Sequence, residues 1–195
     1  FVLLMRRGPP RAKLFPTRRS SERVRDLAIP LRTLLYVPGN KEDWILKAPK
    51  YGSDALILDL EDSVPPSEKS LAREIVSRLV PILAQQNVTV FIRVNDLSTG
   101  LTEEDISYSV VDGLYGITLP MVKAADDIKS LDTLLAAEEK RKGIPVGTVL
   151  IDPGLETASA IRSAYDIGVS SNRVAHMGAS GGRGGDVARS IGYRW

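Results

Sequence analysis

ALILDLEDSVPP, residues 55–66, opens as an unbroken aliphatic run and closes with Asp59, Glu61 and Asp62 within four positions. A strand that is apolar almost throughout, rather than at every second residue, is covered on both faces, the condition of a parallel sheet flanked by helices. Working outward, the same unit recurs. Short aliphatic or β-branched runs at Thr33–Pro38, Val88–Val94, Gly116–Val122, Val146–Asp152 and Arg173–Gly178 are separated by stretches of helical spacing that include Ser67–Gln85, Ala124–Lys142 and Glu156–Gly168. Alternation of strand and helix predicts parallel strands joined by crossover helices. No glycine-rich phosphate turn follows the first strand, and polar residues gather at many strand ends rather than at one switch point. The expected architecture is therefore a (β/α)8 barrel of the TIM type, truncated to about six β/α units.

Composition narrows the chemistry. The 195 residues contain no cysteine and a single histidine, His176, so disulfides, thiolate nucleophiles and zinc–thiolate centres are excluded. No apolar run approaches the ~20 residues of a membrane-spanning helix, and no membrane partner is expected. Residues 1–32 carry nine Arg/Lys against Glu22 and Asp26. Residues 1–31 are expected to be a basic, disordered extension preceding a barrel domain over 32–195. The extension has the Arg-rich, acid-poor character of an organellar presequence, which sets a mitochondrial matrix location beside a cytoplasmic one. It lacks interleaved stacking aromatics and the remainder is net acidic, so nucleic acid is not an expected partner.

In a parallel barrel the C-terminal strand ends converge on one mouth. Here they bring Asp59, Glu61 and Asp62 from the second strand, Arg93 and Asn95 from the third, Lys123 from beyond the fourth, and Asp152 with Glu156 from the fifth. Several carboxylates around one arginine repel one another unless a cation lies among them, and all-oxygen ligation suits Mg²⁺ or Mn²⁺. A second reading of Asp59, Glu61 and Asp62 is as caps of the turn that follows. Arg93 could serve as a structural ion-pair partner, and Glu156 as a favourable charge in the first turn of a helix.

With RTLLYVPGN at 32–40, GSDALILDLEDSVPPSEKSLAR at 52–73, IRVND at 92–96, GITLP at 116–120 and LETASAIRSAYDIG at 155–168, the chain resembles the citrate lyase beta subunit family, which includes malyl-CoA and citryl-CoA lyases. The resemblance implies a magnesium-dependent carbon–carbon lyase acting on a CoA thioester, with an acyl-CoA or oxo acid as substrate and a trimeric or hexameric homo-oligomer in the full-length form. It implies that Arg93 grips the oxo-acid carboxylate, that Arg32 joins it in substrate binding, that Glu156 and Asp186 ligate the metal, and that Glu61 and Asp62 hold metal-bound water. Where the family usually has LPKVE, this chain has LPMVK, placing Lys123 where a glutamate is common. The glycine-rich stretch between Gly178 and Asp186 lengthens the spacing from Glu156, which leaves Asp152 as the alternative ligand. His176 lies inside its strand run and reads as a packed residue rather than a general base.

Overall fold

The computed structural model describes residues 29–179, 182 and 184–193. The basic extension expected over 1–31 lies, up to residue 28, outside the described residues. Five parallel strands, β1 (Leu34–Pro38), β2 (Ala55–Asp59), β3 (Val90–Arg93), β4 (Gly116–Leu119) and β5 (Leu150–Pro153), pair in sequential order. Between and after them run α1 (Glu42–Lys47), α2 (Lys69–Gln85), α3 (Thr102–Ser109), α4 (Ala125–Arg141), α5 (Ala158–Arg162), α6 (Ala164–Gly168) and α7 (Asp186–Ser190). Crossovers between parallel neighbours are right-handed, so a sheet ordered 1-2-3-4-5 receives every helix on one face and curls away from them. This is the sense of winding of a barrel, not of a doubly wound sheet.

The two strand faces carry different residues. Leu56 and Leu58, Val90 and Ile92, Ile117 and Leu119, and Ile151 join Val76, Leu79, Leu83, Leu131 and Leu135 of the helices in one continuous core. The concave face holds a smaller cluster of Ala55, Ile57 and Phe91, closed from beneath by Leu31 and Tyr115. Register aligns Tyr36, Ile57, Phe91, Gly116 and Leu150 in one layer, and Pro38, Asp59, Arg93, Thr118 and Asp152 in the next. Gly116 is required by that packing: a Cβ there would lie 2.8 Å from the Phe91 ring and 3.1 Å from the Leu150 carbonyl.

Two expectations need correction. The run at 173–178 does not form a sixth ladder but touches β5 through two isolated bridges, Ile151↔Val174 and Gly154↔Gly178. Ile151 N donates to Arg173 O at 2.8 Å and Leu155 N donates to Gly178 O at 2.8 Å. Between them stands Pro153, which has no N–H with which to continue the ladder. The helix expected over 156–168 is two short ones broken at Ser163, starting only after Thr157, whose hydroxyl accepts from Ala160 N and caps α5. The spacing also missed α1 and α3, both too short to display a clear period.

What fixes the last segment is ionic. Arg173, almost fully buried, donates from Nε to Asp132 at 2.6 Å, from Nη1 and Nη2 to Glu139 at 2.9 and 2.7 Å, and to the Val149 carbonyl at 2.9 Å. Glu139, fully buried on α4, also accepts from Gly147 N and Val149 N. Arg173→Met should therefore leave a buried carboxylate without its counter-ion and cost about 3–5 kcal/mol. The check is urea unfolding, with a lower midpoint at unchanged slope.

Candidate active site

Every strand contributes to the concave face at its C-terminal end, and the central element there is Asp59. Its carboxylate accepts from Arg93 Nε at 2.7 Å and Nη2 at 2.8 Å, from Glu61 N at 2.9 Å, and from Ser63 N and Oγ at 3.0 and 2.5 Å. Burial alone would push its pKa up, but the hydrogen bonds from Arg93 and Ser63 outweigh it and hold Asp59 below the ordinary carboxylate range. Burial likewise works against the Arg93 charge, and Asp59, Glu61 and Asp62 together overcome it. Adjacent in register, Asp59 and Arg93 form a two-pronged pair across neighbouring strands.

The turn after β2 is pinned from behind. Lys69 Nζ donates to the Leu60 and Glu61 carbonyls at 2.7 and 3.0 Å, and Asn95 Nδ2 donates to Leu60 O at 3.1 Å. Asn95 is itself held by Asp105, which also receives Arg73 Nε at 2.7 Å. This lattice presents Glu61 and Asp62 to the remaining nitrogen of Arg93, Nη1, at 3.0 and 3.3 Å. Despite that neighbour, Glu61 has its pKa pushed up to about 7, first by burial and then by Asp62, Glu156 and Asp59. The guanidinium charge is already engaged by Asp59, so burial prevails at Glu61.

Facing this cluster across an open cleft of about 550 Å³ stand Glu156, Asp186 and Val187, with Tyr36, Pro38 and Ser63 on the near wall. Glu156 lies two residues beyond Gly154, where a Cβ would come within 2.7 Å of the glutamate oxygen. Burial raises its pKa, Arg93 and a hydrogen bond from the Met121 backbone oppose the shift, and Asp186 and Asp62 add to it. Met121 follows β4 with φ 51°, a left-handed conformation that a non-glycine residue holds only when its surroundings demand it. Asp186 opens α7, its side chain half-exposed and 3.4 Å from Arg189 Nη1. Lower on the same wall Asp152 accepts from Thr118 Oγ1 at 3.2 Å, and burial pushes its pKa up to about 6.

The structure thus brings Arg93, Glu61, Asp62, Glu156 and Asp186 to one mouth. Arg32 is not among them. It precedes β1, at the opposite end of the strands, where its guanidinium pairs with Asp54 of the segment leading into β2 at 2.8 Å. For Arg93, expected to grip the oxo-acid carboxylate, the Nε–Nη2 edge is closed by Asp59. Lys123 stands apart from the cleft, its backbone N–H donating to Asp127 at 2.7 Å. His176 packs edge-on against Phe91, with Nε2 3.1 Å from the Tyr115 hydroxyl, beneath the mouth. Tyr36, Ser63 and Met121 were not anticipated from the sequence. For Tyr36 the signal was available, since alternation along LLYVP puts it on the same face as Pro38.

The donor set fits a hard divalent cation. Among the described residues lining the cleft, Asp59, Asp62, Glu156 and Asp186 face one guanidinium, that of Arg93; burial raises the Glu156 pKa first, and the repulsion that Asp186 and Asp62 add is what a cation would relieve. No group of three His, Cys, Asp or Glu side chains is placed to cage a metal among the described residues. Two carboxylates, Glu156 and Asp186, completed by water and substrate oxygens, are the kind of ligation Mg²⁺ accepts.

A family model described as HpcH/HpaI aldolase/citrate lyase matches residues 32–194. The citrate lyase beta subunit of Leuconostoc mesenteroides is 33% identical over 143 residues, which are 73% of this chain and 47% of the relative. The L-malyl-CoA/beta-methylmalyl-CoA lyase of Cereibacter sphaeroides is 31% identical over 172 residues, 86% of this chain and 52% of the relative. The chain thus spans about half the length of these relatives. Among solved structures, the Mycobacterium tuberculosis citrate lyase beta subunit complexed with oxaloacetate and magnesium superposes with a TM-score of 0.62 at 19% identity, covering 87% of this chain and 66% of that one. RipC from Yersinia pestis gives 0.60 at 23% identity, covering 84% and 63%. These structural likenesses carry the fold, and the sequence matches carry the lineage: this chain belongs to the HpcH/HpaI aldolase/citrate lyase family.

Proposed function

We propose that the chain carries the reacting face of a magnesium-dependent carbon–carbon lyase that cleaves or forms a 3-hydroxyacyl-CoA, of which citryl-CoA and malyl-CoA are the types, with the full-length protein a homo-oligomer. One observation carries the reading: a partly buried, charged Arg93 and two carboxylates, Glu156 and Asp186, of which Asp186 has only the exposed Arg189 beside it, face each other across one open cleft at the C-terminal strand ends. The named activities of the Leuconostoc and Cereibacter relatives support it, as do the magnesium and oxaloacetate complexed with the M. tuberculosis protein.

Glu156 and Asp186 would hold the cation, which when bound supplies a Lewis acid for the oxygen that gains charge as the carbon–carbon bond changes. The chain's own residues do the rest. Arg93, fixed by Asp59, offers Nη1 and the outer edge of the guanidinium to a substrate carboxylate; to do so it exchanges the contact with solvent-facing Asp62 for one with the ligand. Glu61, with its pKa raised to about 7, can hold or release a proton near neutrality at the edge of the same cleft. The concave wall beneath, Ile57 and Phe91, is apolar and strengthens each of these charge interactions by excluding water. A second reading, a chain that binds the acid without turnover, is favoured by one feature, the closure of the Arg93 Nε–Nη2 edge by Asp59.

Three outcomes are expected. In isothermal titration with MgCl₂, Glu156→Gln should weaken the metal at least tenfold, and an unchanged affinity would remove Glu156 from the metal site. Gly154→Ala should do the same to a smaller degree, because its methyl occupies the space of the glutamate oxygen. With magnesium present, Arg93→Lys should weaken pyruvate about tenfold and also lower the melting temperature, since one ammonium cannot replace the two-pronged pairing with Asp59.

A further inference from the structure

Once Asp59 has taken the Nε–Nη2 edge of Arg93, a substrate carboxylate finds fewer donors in the cleft than its two oxygens can use. Among the described residues lining it, the side-chain donors are Arg93, Ser63 and Tyr36. Ser63 Oγ is turned inward, 2.5 Å from Asp59. Arg93 Nη1 is drawn toward Glu61 and Asp62. The hydroxyl of Tyr36 makes no hydrogen bond within the described structure, and the residue, half exposed, lines the cleft.

Tyr36 is also placed to share whatever Arg93 binds. It lies one layer below the Asp59–Arg93 register, two residues before Pro38, and the guanidinium carbon sits 5.0 Å from the centre of its ring. Stacking of this kind covers one face of the guanidinium and leaves its edges free for ligand, so ring and ligand do not compete. Burial is the largest influence on the phenol and raises its pKa; Arg93 opposes the shift, and Asp152, Glu156 and Asp59 add to it. The phenol therefore remains protonated at neutral pH, a neutral donor in a cleft rich in carboxylates.

We propose that Tyr36 is a substrate-binding residue whose hydroxyl donates to the carboxylate oxygen that Arg93 cannot reach, so that the anion subsite is an Arg93–Tyr36 pair rather than an arginine fork. This rests on the reading of the cleft as an oxo-acid site. A neutral second donor admits a carboxylate without adding positive charge that would repel the adjacent cation. It also makes the subsite selective for a planar anion seated against the ring, over a bulkier phosphate or sulfate.

The test is calorimetric titration of pyruvate into the magnesium-loaded chain, comparing wild type, Tyr36→Phe and Arg93→Lys. Tyr36→Phe retains the ring on the guanidinium and removes only the donor; it should weaken pyruvate about tenfold, the effect of a lost hydrogen bond to a charged group, with magnesium affinity and melting temperature unchanged. Pyruvate should also produce a tyrosine ultraviolet difference spectrum in the wild type that Tyr36→Phe lacks, a signature that a purely structural tyrosine would not give. Tyr36→Phe binding pyruvate within twofold of wild type, while Arg93→Lys binds weakly, overturns the assignment of Tyr36 and leaves the lyase reading standing. A magnesium-loaded wild type that takes up no pyruvate overturns both.

Discussion

The pairing of Asp59 with Arg93 is the constraint on which the rest of the mouth depends. A charged guanidinium placed beside an apolar sheet face is stable only if its charge is met in good geometry, and Asp59 meets it from the adjacent strand by accepting two short hydrogen bonds. The same carboxylate gathers the backbone N–H groups of Glu61 and Ser63, so the interaction that neutralises Arg93 also shapes the turn carrying Glu61 and Asp62. Fold and site are thus joined at one residue. Asp59 is not free to act on substrate; it is what allows Arg93 and Glu61 to be where they are.

That division of labour was only partly visible in the amino-acid order. The apolar run at 55–58 announced a doubly covered strand, and the parallel, sequential sheet follows from strand–helix alternation. The gathering of Arg93, Glu61, Asp62 and Glu156 at one end was equally legible, because each lies at or just beyond a strand terminus, where topology alone sets direction. What one-dimensional reading could not supply was partner choice. Asp59, Glu61 and Asp62 look equivalent on paper, yet only the first faces inward in register with Arg93. Arg32 looked like a second anion receptor, but it enters β1 from the opposite end, and Asp54 lies beside it there.

The overestimated sixth strand has a similar lesson. Arg173–Gly178 has β-forming residues, and its own composition gives no reason to doubt it. The obstacle is in its neighbour, where Pro153 withholds the N–H that the ladder would need. Pairing is a property of two strands, and a pattern read along one of them misses it. Met121 belongs with these cases: nothing in LPMVK announces a left-handed residue, and its backbone bonds to a partner, Glu156, that lies 35 positions further along the chain.

Pro153 has a wider effect through its position between two working residues. It separates β5, which carries Glu156 on its extension, from the segment through Gly178 that leads on to Asp186. Past that gap the two runs stay joined, Gly178 N donating to Pro153 O at 3.3 Å, Leu155 N to Gly178 O at 2.8 Å and Ala158 N to Ser190 Oγ at 2.8 Å, so the extension that carries Glu156 is tied to α7, which Asp186 opens. One missing hydrogen therefore opens a single gap in the backbone pairing, and the wall of the cleft that carries Glu156 and Asp186 is stitched together on either side of it.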